Sequence, residues 1–269
     1  MCSSDLLQAA HVGVAMGLRG TDVAREAADL VLVDDNFASI VRGIRVGRRI
    51  FGNLQKSMRY IFAIHIPIAG IALAPMVMAW PALMLPLHVA LLELVIDPAC
   101  SIAFENEPAD ADVMQRPPRD TRAPLFGAKD IAWALAQGLS VLACVGLTYA
   151  WAKGWISGEA PPAWLEEEIR AMVFVTLVLG YATLIVVNRA APGQFWASLR
   201  VPNPSAWGVI VLAWACVVLG MYWPWLAEAL KFTPLQAPQW AVALSAGGLS
   251  LVALVGLQWV WSQYPARRT

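Results

Sequence analysis

From Tyr60 to Leu92 the chain carries no formally charged residue. A membrane-spanning helix needs roughly 20 apolar residues. The run is therefore too long for one span and too short for two. Trp80-Pro81 interrupts it, and a second span then has to extend to about residue 104, taking in Glu93 and Asp97. The result is a hairpin of two spans, about 60–79 and 85–104. Overall, 59% of residues are hydrophobic and 14% are charged. An average soluble domain carries nearer a quarter charged residues, so the composition predicts a multi-span membrane protein with a small soluble part. The formal net charge is zero, which gives no argument for a nucleic-acid partner.

The segment L-P-L-H-V-A-L-L-E-L-V-I-D-P-A-C-S-I-A-F, residues 85–104, holds the two carboxylates. Glu93 and Asp97 are four apart, which puts them on one face of a helix. A charge at the bilayer centre costs on the order of 2.5–3.5 kcal/mol on insertion scales. Two on one face predict a visiting cation. Pro98 follows Asp97, removes one N–H and crowds the carbonyl of Leu94. A freed carbonyl beside two carboxylates makes an oxygen-rich site for a hard cation. The bland alternative is a protonated pair, or a pair facing a neighbouring helix. In the first span Pro67 frees the carbonyl of Ala63 and Pro75 that of Ile71. His65 beside them is read either as a ligand or proton carrier, or as a neutral histidine bonded to a backbone carbonyl.

Ahead of the membrane part, H-V-G-V-A (11–15) and D-L-V-L-V (29–33) are predicted strands. Between them a helix starts at Thr21 or Asp22, and Asp34-Asp35-Asn36 forms a turn that caps the next helix. Strand, helix, strand, helix is the grammar of a parallel α/β unit. About 35 residues cannot close a doubly wound sheet, which needs several such units. The expectation is the end of a domain whose beginning lies before this chain. Residues 38–59 then carry Arg42, Arg45, Arg48, Arg49, Lys56 and Arg59 with no acidic residue, a basic stalk helix entering the membrane from the cytoplasmic side.

Four more spans are predicted at about 131–151, 171–188, 206–222 and 240–261. With a cytoplasmic start, the inside segments hold Arg116, Arg119, Arg122, Lys129, Arg189, Arg200, Arg267 and Arg268. The outside loops hold only Lys153, Arg170 and Lys231. That asymmetry supports six spans with both ends inside. Asp110 and Asp112 lack the glycine turn and terminal glutamate of a calcium hand and read as loop polarity. Cys2, Cys100, Cys144 and Cys216 form no C-x-x-C pair, and three of them lie in apolar segments, so they read as buried thiols and not as a disulfide framework or zinc site.

Four motifs now carry a resemblance. H-V-G-V-A-M-G-L-R-G-T-D-V-A-R-E-A-A-D-L-V-L-V-D-D-N-F (11–37) resembles the end of the phosphorylation domain of P-type cation-transporting ATPases, closest to the calcium-pump branch. G-R-R-I-F-G-N-L-Q-K-S-M-R-Y-I (47–61) is similar to that family's stalk into its fifth transmembrane helix. P-L-H-V-A-L-L-E-L-V-I-D-P (86–98) resembles its sixth, and D-V-M-Q-R-P-P-R (112–119) the loop after it. The resemblance implies a mainly α protein: a polytopic six-helix transmembrane bundle preceded by a fragment of an α/β (HAD-like) phosphorylation domain. Its parts are 1–37, the domain remnant; 38–59, the stalk; and 60–269, the transmembrane domain.

The resemblance further implies an ATP-driven pump of the plasma (inner) membrane, with magnesium and ATP bound on N-terminal domains outside this chain. Its phosphorylated aspartate sits in a D-K-T-G-T loop, which this sequence does not contain, so the chain alone is expected to be inactive. The family's ion ligands carry over to Glu93 and Asp97, with His65 and the carbonyls of Leu94 and Ala63 as further candidates, supported by Pro67 and Pro98. The fifth-helix carboxylate position falls near Ile68 and the eighth-helix one near Leu179 or Gly180, which implies at most one complete site. Calcium is the expected cation from its preference for hard oxygen ligands; manganese, magnesium, sodium and protons stay open. The alternative is a stand-alone membrane module that binds a cation or a partner without ATP. A third reading, a proton- or sodium-coupled carrier, leaves the α/β segment unexplained.

Overall fold

The computed structural model describes residues 3–118, 124–156, 166–190 and 194–263, apart from the side chains of Ser3 and of 94–100. Helix makes up 73% of it, so the protein is mainly α. Two compact units are present: Met1–Gly52 with Ala109–Pro118, and Asn53–Pro108 with Arg119–Thr269.

The first unit begins with α1 (Ser3–Ala9), β1 (Val14–Met16), α2 (Asp22–Ala27) and β2 (Leu30–Leu32). The strands pair in parallel, Val14 with Leu30 and Met16 with Leu32, as the strand–helix–strand pattern predicts. Thr21 is the N-cap of α2, its hydroxyl accepting from the amide of Ala24 at 3.3 Å. Gly17 is required where β1 leaves the sheet: a Cβ there would lie 2.7 Å from Val33 Cα.

Asp35 holds a left-handed backbone, φ 51°. Its carboxylate accepts from the amides of Leu18 (2.9 Å) and Arg19 (3.0 Å) and from Arg19 Nε (3.0 Å). Asp34 accepts from the Ser39 hydroxyl at 2.7 Å, and Asn36 Oδ1 from the amide of Ala38. Together they cap α3 (Ala38–Met78).

The Leu18 amide, then Arg19, hold the Asp35 carboxyl below the usual carboxylate range. The Ser39 hydroxyl, then the Asn36 amide, do the same for Asp34. A lowered folded pKa gives stabilisation that is complete above the unfolded value, about 3.9, and is lost as pH falls through the folded value below it. Amide-exchange protection at Leu18 and Arg19 is therefore expected to be flat from pH 7 to 5 and to collapse only below about pH 4. Protection lost between pH 7 and 5 would contradict this assignment.

Residues of α3 up to Gly52 pack in the first unit, and those from Asn53 in the second. In the first unit Arg48 Nη1 donates to the carbonyls of Val113 (2.8 Å) and Arg116 (2.7 Å). Arg116 is itself clasped by Asp110 and Asp112, at 2.9 and 2.6 Å. The two aspartates thus order their own loop.

The second unit contains the rest of α3, then α4 (Pro86–Glu105), α5 (Ala128–Ala152), α6 (Glu166–Arg189), α7 (Phe195–Leu199), α8 (Pro204–Tyr222), α9 (Pro224–Leu230) and α10 (Ala237–Gln263). Among the described residues, five helices are long and apolar enough to cross a membrane: α3, α5, α6, α8 and α10. The 20-residue α4 includes 94–100. The short helices α7 and α9 occupy segments that the sequence suggests are loops.

The sheath of the bundle faces outward with apolar side chains such as Val211, Leu212 and Val252, all exposed. Its centre is α6, where Met172, Leu177 and Leu184 are fully buried. Hydrocarbon solvent gives no hydrophobic drive between helices, so close packing has to hold them. Gly247 supplies one such contact: a Cβ there would lie 2.6 Å from Leu179.

Candidate cation site

Helix α4 runs from Pro86 to Glu105 and so places Glu93 and Asp97 one turn apart. Glu93 is exposed. The side chains of Asp97 and Pro98, and that of Leu94, whose carbonyl was the candidate ligand, lie outside the described residues. Among the described residues no three His, Cys, Asp or Glu side chains converge.

On α3, His65 is exposed, and its Nδ1 lies 2.7 Å from the carbonyl of Ile61. A carbonyl only accepts, so Nδ1 carries the hydrogen. In the neutral ring Nε2 then keeps its lone pair. The two sequence readings of His65 are thus compatible. One nitrogen anchors the ring, and the other is chemically able to bind a proton or a metal.

The backbone around Pro67 is used for packing. Ala63 is fully buried, and its carbonyl lies 2.5 Å from where a Cβ would stand on Gly138 of α5. Only glycine allows that approach. The next carbonyl, of Ile64, accepts the buried Tyr181 hydroxyl of α6 at 3.0 Å. Pro67 lies inside α3 and offers no N–H to the Ala63 carbonyl, which faces α5 at Gly138. Ile68 packs partly buried against the core, as does Leu179.

Both ends of α4 are tied to the bundle by residues that the sequence did not single out. At the start, His88 is fully buried. Its Nδ1 accepts from the amide of Leu85 at 3.0 Å, and its Nε2 donates to the carbonyl of Leu230 at 2.7 Å. Both nitrogens are satisfied in one neutral tautomer. The ring stacks on Phe232, with centroids 4.7 Å apart and planes 3° apart. Nearby, buried Arg170 donates to the carbonyls of Lys231 (3.2 Å) and Ala82 (3.3 Å).

Just past the other end, Glu107 Oε2 accepts from Arg189 Nε at 2.8 Å and from Asn203 Nδ2 at 2.6 Å. The two charged side chains are only 2% and 5% exposed. Asn203 also donates to the carbonyl of Ala103 at 2.9 Å, and its Oδ1 caps α8 at Ala206. Asn53 of α3 donates to the carbonyl of Glu107 at 2.7 Å. Four helices, α3, α4, α6 and α8, converge on this one glutamate.

The chain thus combines a helical bundle apolar enough to lie in a membrane, an acid pair four residues apart on one of its helices, and a parallel α/β segment earlier in the sequence. The particular family follows from comparison with known proteins. Residues 81–260 match the family described as "Cation transporting ATPase, C-terminus", and the chain belongs to that family. It is 35% identical over 256 residues to a calcium-transporting ATPase of Listeria monocytogenes, covering 94% of this chain and 27% of that protein. It is 45% identical over 146 residues to the sodium/potassium-transporting ATPase subunit alpha of Drosophila melanogaster, covering 53% of this chain and 14% of the relative. A calcium-transporting ATPase of Bacillus subtilis is 39% identical over 131 residues, 49% of this chain and 15% of the relative. The chain thus spans about a quarter or less of the length of these relatives.

Proposed function

We propose that this chain works as the C-terminal part of an ATP-driven P-type cation pump and carries part of its intramembrane ion site. The carrying observation is the likeness to a calcium-transporting ATPase along 94% of the chain, together with the acid pair on α4. Residues 1–37 are the end of the phosphorylation domain, 38–59 the stalk and 60–269 the membrane domain. Both ends face the cytoplasm, and the plasma membrane is the host bilayer. ATP and magnesium bind to domains outside this chain. Those domains supply the phosphoryl transfer; the residues here supply ligands and hold them in place.

Glu93 and Asp97 hold the transported cation, with Nε2 of His65 and the carbonyl of Leu94 as further donors. The carbonyl of Ala63, which faces Gly138 of α5, is a further candidate donor. Calcium is the cation that hard oxygen ligands favour. The likeness to a sodium/potassium-transporting subunit over half of the chain supports sodium as the second reading.

The test is a cation titration of phosphorylation by labelled ATP in the pump that contains this chain, run with Ca2+ and with Na+. Under the calcium reading Ca2+ alone supports phosphorylation in the micromolar range. Glu93→Gln is expected to raise the midpoint by about tenfold or more, since even outer-shell partners of a metal are worth roughly 10–100-fold. Stimulation by Na+ and not Ca2+ would replace the calcium reading. An unaltered titration in Glu93→Gln would leave that residue a structural role only.

A further inference from the structure

The proposed ion ligands sit between two anchored ends of one helix. We propose that Glu107, with Arg189, Asn203 and Asn53, forms a clamp that positions the cation ligands of α4, and that His88 is the matching clamp at its other end. This rests on the reading of α4 as the ion-site helix.

The geometry carries it. Glu107 lies just past the end of α4 and has two side-chain donors on one oxygen, at 2.6 and 2.8 Å, and a third donor on its own carbonyl. The donors come from α3, from α6 and from the N-cap of α8, and Asn203 also bonds the Ala103 carbonyl within α4, so a displacement of this end of α4 strains bonds to all three. Asn203 is fully engaged: Nδ2 donates to both the Ala103 carbonyl and Glu107, and Oδ1 caps α8. At the other end His88 uses both ring nitrogens, and its ring stacks on Phe232 and packs beside Phe174, with centroids 4.7 and 5.5 Å away.

A buried ion pair is a poor device for stability, because desolvation offsets its attraction; fixing one arrangement against alternatives is its better-attested use. Glu93 and Asp97 lie between the two clamps, so a shift of the helix changes how far the carboxylates reach and hence the affinity. Glu107 and Arg189 are positioning residues and touch no cation.

The experiment compares E107Q, the double substitution E107M/R189M and N53A in the pump that contains this chain. The double variant removes both buried charges and keeps apolar volume, so the bundle is expected to fold. N53A removes a single donor and leaves the ion pair intact. Three readouts are taken: thermal unfolding, the cation midpoint for phosphorylation by ATP, and phosphorylation by inorganic phosphate without cation. The expected result is a midpoint raised by about fivefold or more in E107Q and in the double variant. Phosphorylation by inorganic phosphate stays at the wild-type level, and the double variant melts at or above the wild-type temperature. N53A shifts the midpoint in the same direction by a smaller factor. Wild-type midpoints in the variants that fold would overturn the proposal and leave the cluster purely structural. N53A decides the matter if the other two fail to fold. The outcome is separable from that of the proposed function: cation dependence surviving in Asp97→Asn overturns the ion-site reading, whereas wild-type midpoints in the clamp variants overturn only the clamp.

Discussion

Asp97→Asn is expected to abolish cation-dependent phosphorylation by ATP in the pump that contains this chain. Asparagine keeps the shape and one carbonyl oxygen of aspartate but removes the charge. A divalent cation leaving water for the membrane interior has to be compensated by oxygens, and the charged ones contribute most. Loss of an outer-shell partner already costs roughly 10–100-fold in metal affinity. Loss of a ligand charge should exceed that and push the titration midpoint beyond accessible concentrations. Phosphorylation by inorganic phosphate in the absence of cation is expected to persist, because that reaction does not need an occupied site. Unchanged cation dependence in Asp97→Asn would sink the assignment of α4 as the ion-site helix.

Much of the helical layout was legible because membranes impose a strict length. Apolar runs bounded by charge gave spans at about 131–151 and 206–222, and the helices run Ala128–Ala152 and Pro204–Tyr222. The short helices α7 and α9 were not legible. A span has to be apolar throughout, but a five- or seven-residue helix leaves no such signature. Pro224 at the first position of α9 is the one cue available.

The site divides in the same way. Glu93 stands out because a charge in an apolar run is costly, and that cost is visible in one dimension. Pro67 announces a freed carbonyl at Ala63, but where that carbonyl points depends on Gly138, far along the chain. Glu107 and Arg189 are 82 residues apart, and each looks like an ordinary charge at the end of a span. Only the packing of α6 beside the end of α4 brings them together. Arg48 and Arg59 illustrate the converse. In the sequence they mark one side of a membrane by charge alone; in the structure Arg48 also donates to two loop carbonyls and Arg59 also pairs with Asp130 at 2.7 Å.

Arg189→Ala is expected to be the most destabilising single change in the bundle. It strips Glu107 of its cation and leaves a carboxylate 5% exposed with Asn203 as its side-chain donor among the described residues. It also removes the donor to the Val201 carbonyl at 3.0 Å. Breaking a buried ion pair from one side costs about 3–5 kcal/mol, because the orphaned charge keeps its desolvation penalty. At about 2–4 °C per kcal/mol for a chain of this size, the melting temperature should fall by roughly 10 °C. The surface pair of Arg19 and Asp35 supplies the contrast: Arg19 is 75% exposed there, and water screens such a pair, so its removal is expected to leave the melting temperature close to wild type. Thermal unfolding of Arg189→Ala against wild type, in one detergent, reads the difference. A wild-type melting temperature would mean that water reaches Glu107 in the bilayer. The four-helix junction would then be held by Asn203 and Asn53, which bond backbone carbonyls whatever the charge state of the pair. The same measurement on E107M/R189M separates the two contributions, since apolar side chains remove the charge penalty and leave the asparagine bonds to the carbonyls in place.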